Sequence, residues 1–275
     1  MISAESKPLN TLATTERFRK LLYILLPPLW VAVLFVFGWA ILAATIFKDA
    51  AFLLPGPSAV GAAFVEHRAD IASATIITLR EALSGYSAAI VIGISAAAIM
   101  SQSRFLERSF YPYAVLLQTV PVVAIAPLIV LWFGYGESSV IIISLIISIF
   151  PIINNTLLGL RSTSKTLVEL FAMHRAPRFT SFLKLRLPAA IPNIIAGLRI
   201  SAGLSVIGAI VGEFLIGSGS SSGGLGVQII FAQGRMDTAL LFALVINATL
   251  LGFLLLMAVS LLGWLLLRNW HESEI

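Results

Sequence analysis

Long runs without a charged side chain dominate the chain, separated by short clusters of Lys, Arg, Asp and Glu. Such intervals lie between Lys20 and Lys48, Glu81 and Arg104, Arg108 and Glu137, Glu137 and Arg161, Arg199 and Arg235, and Asp237 and Arg268. Each is long enough to cross the ~30 Å hydrocarbon layer as a helix, which takes about 20 residues. Only Glu213 interrupts the fifth. The pattern predicts six membrane-spanning helices in an all-α chain. The first apolar run is well beyond the length of a signal-peptide core, so it reads as an uncleaved helix. Its expected start is near Pro27–Pro28, where a missing N–H does least harm.

Three connecting segments stand out. Residues 49–75 carry a Leu-Pro-Gly-Pro-Ser turn (Leu54–Ser58) that opens a short helix around Ala59–Arg68. In residues 161–198, Leu167, Leu170 and Phe171 fall at i, i+3 and i+4, one apolar helix face. After Pro177, Phe179, Phe182, Leu183 and Arg186 repeat that spacing. Two short amphipathic helices joined by a bend are expected, with Pro188 and Pro192 interrupting the chain before the fifth span. Two occupants suit such a hairpin: an anionic lipid surface or a groove on another protein. Residues 217–227, rich in Gly and Ser, read as a flexible run.

Composition agrees with the pattern. Hydrophobic residues make up 59% and charged residues 11%, where a soluble domain is about a quarter charged and a disordered chain is poor in apolar residues. The net charge of +5 matters for its placement. With the N-terminus inside, the inner loops hold Lys7, Arg17, Arg19, Lys20, Arg104, Arg108, Arg161, Lys165, Arg175, Arg178, Lys184, Arg186 and Arg268, thirteen in all. The outer loops hold three, Lys48, Arg68 and Arg235. Positive loops stay in the cytoplasm, so tails 1–20 and 268–275, and the loop 161–195, are expected there, around a membrane domain over 21–267. Basic groups placed this way face lipid headgroups and imply no nucleic-acid partner.

Candidate chemistry is sparse. The absence of cysteine excludes a disulfide framework, thiolate catalysis and Cys-ligated zinc. His67, His174 and His271 form no ligand spacing, and no cluster of acids, bases or nucleophiles shares one depth. No catalytic, metal or cofactor site is expected. Gly159–Thr166 comes within one residue of a phosphate-binding loop, with Ser164 where the second Gly belongs, and it follows a span rather than a strand. Glu213, an acid inside a span, faces protein or water. It is either a pathway or gate residue, or the structural partner of a polar group such as Arg80. Pro112, Pro121, Pro127 and Pro151 kink the third and fourth spans. Asn154, Asn155 and Gln118 either line a path or bind helices together. An ion-coupled secondary transporter is the competing class, because such proteins carry intramembrane acids, but it leaves the amphipathic loop unexplained.

Glu169, then Arg175, then Leu187-Pro188, with Ala189-Ala190-Ile191-Pro192 and Ala196-Gly197-Leu198-Arg199, resembles the EAA loop of ABC-importer permeases. Leu54–Ala59, Thr78-Leu79-Arg80 with Gly85-Tyr86, Ala126-Pro127-Leu128 with Leu131–Gly134, Phe150–Thr156 and Gly224-Leu225-Gly226 are similar to the nitrate/sulfonate/taurine branch. Arg186–Pro188 and Val206–Glu213 look more like permeases for pyrimidine or flavin vitamin precursors. Two departures stand out. Leu170 and Phe171 replace two alanines, and Arg175 stands where the family pattern has Gly, so the bend is expected at Pro177 instead.

The resemblance implies a type I ABC-importer permease in a bacterial inner membrane, moving a small solute inward. It implies a homodimer, two copies of a separate ATPase, and an extracytoplasmic solute-binding protein. Glu169, Leu170, Phe171, Met173, His174, Arg175, Ala176, Arg178 and Phe179 would contact the ATPase. Closure of that ATPase around ATP would drag the fourth and fifth spans and switch the side from which the pathway opens.

Overall fold

The structure, a computed structural model, describes residues 9–50, 52–216 and 223–268. Every regular element among them is helical: α1 (Leu9–Thr45), a 3₁₀ turn at Lys48–Ala50, α2 (Pro57–Glu66), α3 (Arg68–Ser101), α4 (Arg104–Thr119), α5 (Val122–Phe133), α6 (Glu137–Arg161), α7 (Lys165–Met173), α8 (Arg178–Ser181), a π turn at Phe182–Arg186, α9 (Leu187–Ile216), α10 (Leu225–Gly234) and α11 (Thr238–Leu267). Five helical stretches are long and apolar enough to cross a membrane, and a sixth span results if the bent pair α4–α5 counts as one.

Several boundaries differ from the expectation, each for a local reason. Helix α1 runs through Pro27 and Pro28 and begins at Leu9. The prolines forfeit two backbone bonds but do not stop a helix already formed upstream, so the tail expected over 1–20 is helical from Leu9. Helix α3 starts at Arg68, not beyond Glu81, and carries Arg80 and Glu81 within its 34 residues. Two adjacent charges look like a span's end when intervals are measured between charges.

The third span is broken rather than kinked. Helix α4 is capped by the Ser103 hydroxyl, which accepts the Leu106 N–H at 3.1 Å, and it stops at Thr119. Val120 is extended, φ −67° and ψ 124°, as the residue before a proline prefers. Pro121 then opens α5, and the two axes diverge by 100°. Helix α5 ends at Gly134, φ +82°, and Gly136 at φ +128° precedes α6; both conformations favour glycine.

Helices α3, α6 and α9 form the centre, with α10 and α11 against α9 and α1 at the edge. Small residues bring their backbones close. An added Cβ at Gly85 would lie 2.6 Å from Ser144 Oγ, and one at Gly208 would lie 2.7 Å from Ser144 Cα. Along this seam Ser144 donates to the Ser205 carbonyl at 2.9 Å and Ser201 donates to the Ser148 carbonyl at 2.6 Å. Close approach plus interhelical hydrogen bonds is how membrane helices associate where apolar burial offers no advantage over lipid. At the edge, the Trp39 indole donates to the Pro55 carbonyl at 3.0 Å and stacks on Phe242.

Candidate functional site

Two places carry the functional side chains, one at each end of the bundle. At the end rich in Lys and Arg, α6 finishes at Arg161 and the chain turns out into α7, which makes no extended contact with any other helix. Leu167 and Leu170 are about half exposed and Met173 is 80% exposed. The apolar face read from the sequence exists and is largely open: Leu167 and Leu170 are uncovered, while Phe171 is partly buried.

The turn after α7 is made at Arg175, not at Pro177. The Ala176 N–H donates to the Phe171 carbonyl and the Arg175 N–H to the Ala172 carbonyl, at 3.0 and 2.9 Å. These paired bonds are the Schellman closure of a helix, whose first residue beyond the cap is left-handed. Arg175 takes that conformation at φ +50°, although a side chain there is unfavourable. The sequence-based expectation that a non-glycine would move the bend is therefore overturned. His174 is held within the turn, its Nδ1 2.9 Å from the Leu170 carbonyl.

The second amphipathic helix is not a separate element. Helix α8 is one turn, and it passes through the π turn directly into α9, so Arg178–Ile216 is continuous. Pro188 has no N–H to give Lys184, and the ladder widens just there, with the Leu187 N–H reaching back to the Phe182 carbonyl. Pro192 lies inside α9 without ending it. Arg178 and Phe179 lie exposed just past the bend. Gly159–Thr166 spans the last turn of α6 and the first residues of α7, a helix-to-helix turn with no strand before it.

At the opposite end lies Glu213, 2% exposed. Its carboxylate accepts the Thr78 hydroxyl at 2.7 Å and the Gly226 N–H at 2.6 Å, while Thr78 Oγ1 accepts the Leu225 N–H at 2.8 Å. Leu225 and Gly226 open α10, whose first N–H groups have no partner within the helix. Two side chains from α3 and α9 therefore cap α10, and a carboxylate at a helix N-terminus is favoured by the helix dipole. An added Cβ at Gly226 would lie 2.6 Å from the Ile210 carbonyl oxygen, and one at Gly224 would collide with the Glu213 carboxylate. Gly224-Leu225-Gly226, expected in a flexible run, is instead packed tightly; residues 217–222 of that run lie outside the described residues.

Arg80 is not the partner of Glu213. It pairs with Glu137 at 2.7 Å. The neighbour that the sequence reading missed is Glu81, 5% exposed and beside Glu213. Its signal was the spacing: Thr78, Glu81, Ala82 and Gly85 fall at helical intervals, and all are buried on one face of α3.

The other pathway candidates are elsewhere. Asn154 accepts the Tyr111 hydroxyl at 3.0 Å and ties α6 to α4. Asn155 donates to the Pro151 carbonyl at 2.9 Å and abuts Gly197. Sixteen residues separate Gly197 from Glu213 on α9, about 24 Å at 1.5 Å per residue. Gln118 is exposed near the end of α4. Asn154 is thus joined to α4, and Asn155 stands well apart from Glu213 along the bundle.

A bundle of apolar helices with one broken span, a short apolar α10 and an amphipathic helix projecting from the basic end defines a polytopic membrane protein. Residues 89–270 match the model of the family "Binding-protein-dependent transport system inner membrane component". The chain belongs to this family, the membrane-spanning permease subunits of ABC importers. It is 36% identical over 222 residues to a probable ABC transporter permease protein of Haemophilus influenzae, covering 81% of this chain and 89% of that one. It is 34% identical to the riboflavin transport system permease protein RibX of Chloroflexus aurantiacus, covering 70% and 71% of the two chains. The formylaminopyrimidine transport permease protein ThiX of Halalkalibacterium halodurans is 42% identical over 48% of this chain and 52% of its own. In fold it is similar to the crystal structure of an amino acid ABC transporter with histidines, with a TM-score of 0.59 at 18% identity, covering 75% of this chain and 96% of that one. Nothing in these relatives supports an ion-coupled carrier.

Proposed function

We propose that α7 and the turn after it form the joint through which a separate ATPase works this permease. The observation that carries the reading is the largely open apolar face of α7, on a helix without extended packing against any other and closed by a defined turn. An amphipathic helix of this kind fits a groove on a partner. Leu170, Phe171, Met173 and Phe179 are the anchors that fill the groove. Glu169, His174, Arg175 and Arg178, with Ala176 between them, set the register through complementary charge.

In this reading both termini and the joint lie in the cytoplasm, as thirteen basic residues against three favour. Two copies of the chain pair in the membrane. Two ATPase copies sit beneath, and an extracytoplasmic binding protein delivers the solute. Of the polar candidates the exposed Gln118 lines the pathway, Asn154 and Asn155 hold helices together, and Glu213 acts chiefly as the cap of α10. The solute is small and polar. A flavin or pyrimidine vitamin precursor is favoured over nitrate or a sulfonate by the names of RibX and ThiX, whose identities of 34% and 42% exceed the 32% of the sulfonate permease of Bacillus subtilis and the nitrate permease of Synechocystis.

The test uses the permease with its ATPase and binding protein in proteoliposomes. Glu169→Lys, or deletion of residues 172–178, abolishes uptake and ATPase co-purification while the permease remains in the membrane. Normal uptake and normal co-purification in both variants would remove the joint. Uptake of riboflavin, formylaminopyrimidine, nitrate and an alkanesulfonate, compared side by side, identifies the solute class.

A further inference from the structure

A cavity of about 710 Å³ opens at the basic end, between the α3–α4 corner, the end of α6, the start of α7 and the π turn. Five basic side chains line it: Arg104, Arg108, Arg161, Lys165 and Arg186. Two acids do so as well, Glu107 and Glu169, so the lining carries five minus two, a net charge of plus three. Glu107 is committed to an ion pair with Arg161. Among the described residues, Arg104, Arg108, Lys165 and Arg186 make no ion pair. The Thr163 hydroxyl on the same wall is buried and has no hydrogen-bond partner among them. A concave site walled by one sign of charge concentrates counter-ions, and four unpaired cations with a spare hydroxyl call for an anion with several oxygens.

The position of the site narrows the anion further. It lies where α3 and α6 end and α4 begins, the level at which a spanning helix meets headgroups. Leu160 and Val168 add apolar surface to its wall, and at the start of α4 and the end of α6 the apolar side chains of Phe105 and Leu158 are 78% and 57% exposed. An inorganic anion would use neither side chain. A phosphate attached to acyl chains would use both, and basic pockets between membrane helices are suited to such headgroups.

We infer that this cavity binds the phosphate headgroup of an anionic phospholipid, with Arg104, Arg108, Lys165 and Arg186 as its ligands and the acyl chains running past Phe105 and Leu158. One headgroup there bridges α4, the start of α7 and the segment entering α9. It thereby braces the projecting helix against the bundle. The cavity shares Glu169 with the proposed ATPase joint, and an experiment on the permease without an ATPase tests the lipid separately.

The experiment measures the melting temperature of the full-length permease in a neutral detergent. Cardiolipin or phosphatidylglycerol, at about a hundred-fold excess over its dissociation constant, raises Tm by about 5 °C, and phosphatidylcholine does not. Arg104→Gln and Arg108→Gln, singly and together, diminish and then abolish the rise. Should a variant fail to fold, native mass spectrometry of the unaltered chain supplies the second reading: one anionic lipid stays bound after delipidation. A rise given equally by inorganic phosphate would make this a free-anion site and overturn the lipid. No rise with any lipid and no retained lipid, or a rise that survives both substitutions, would overturn the site. Variants that keep the lipid effect but lose the ATPase would assign these arginines to the ATPase instead.

Discussion

The backbone N–H of Gly226 donates to the carboxylate of Glu213 at 2.6 Å, so a side chain near the end of α9 holds the beginning of α10. An acid inside a span invites a reading as part of a transport path, and here its oxygens are occupied by Thr78 and the α10 backbone. Glu213→Ala leaves a buried N–H and a buried hydroxyl without their acceptor, at about 3 kcal/mol. Glu213→Gln keeps one acceptor oxygen and loses less. Tryptophan fluorescence during denaturation in detergent gives both values. Unchanged stability of Glu213→Gln with altered uptake would restore the pathway role.

Glu81 sits beside Glu213, and its Oε2 has no hydrogen-bond partner among the described residues. The two carboxyls hydrogen-bond to each other, and Glu81→Gln keeps a donor N–H toward Glu213 while removing an ionisable group. The variant is expected to melt at the same temperature as the unaltered chain or up to a few degrees higher. A loss of stability in Glu213→Gln with none in Glu81→Gln, read in one melting experiment, distinguishes the cap from its neighbour.

Two glycines provide a paired test of close approach. Gly226→Ala places a Cβ against the Ile210 carbonyl at 2.6 Å, an overlap with backbone that costs about 2 kcal/mol. Gly61, on α2, has nothing within 4 Å of an added Cβ. Gly61→Ala is expected to stabilise by about 0.5 kcal/mol, through helix propensity alone. Thermal melts of the two variants should move in opposite directions.

Arg175 occupies a left-handed position at φ +50°. Arg175→Gly relieves about 1 kcal/mol of strain, offset in part by the greater freedom of glycine in the unfolded chain. Arg175→Val, β-branched, is worse than arginine there. Hydrogen exchange of the amides at 175 and 176 reads the difference: slower in Arg175→Gly and faster in Arg175→Val.

The apolar intervals were enough to find the spans, because membrane length and hydrophobicity are local properties of the chain. Boundaries failed where a charge was read as an end. Glu81 lies inside α3 because its neighbours in space, Glu213 and Thr78, belong to one buried cluster, and no count along the chain brings residues 78 and 213 together. Helix α10 was missed for the same reason. Its ten residues are too few for a span, and its caps come from 13 and 147 residues away. The loop was more legible, since the face of Leu167 and Leu170 depends on helical period alone. Its turn was misplaced because the cost of a left-handed arginine was weighed without the two Schellman bonds that hold it.

The chain from Arg178 to Ile216 runs as one continuous helical path of 39 residues, at most about 58 Å long at 1.5 Å per residue. One tip carries Phe179, and the other carries Glu213 with α10 fastened to it. A tilt of only 5° about one tip sweeps the other through about 5 Å, close to a full helical turn. Without any change in its own hydrogen bonding, this helical path can turn a small push at the basic end into a displacement of α10 large enough to reseat side chains.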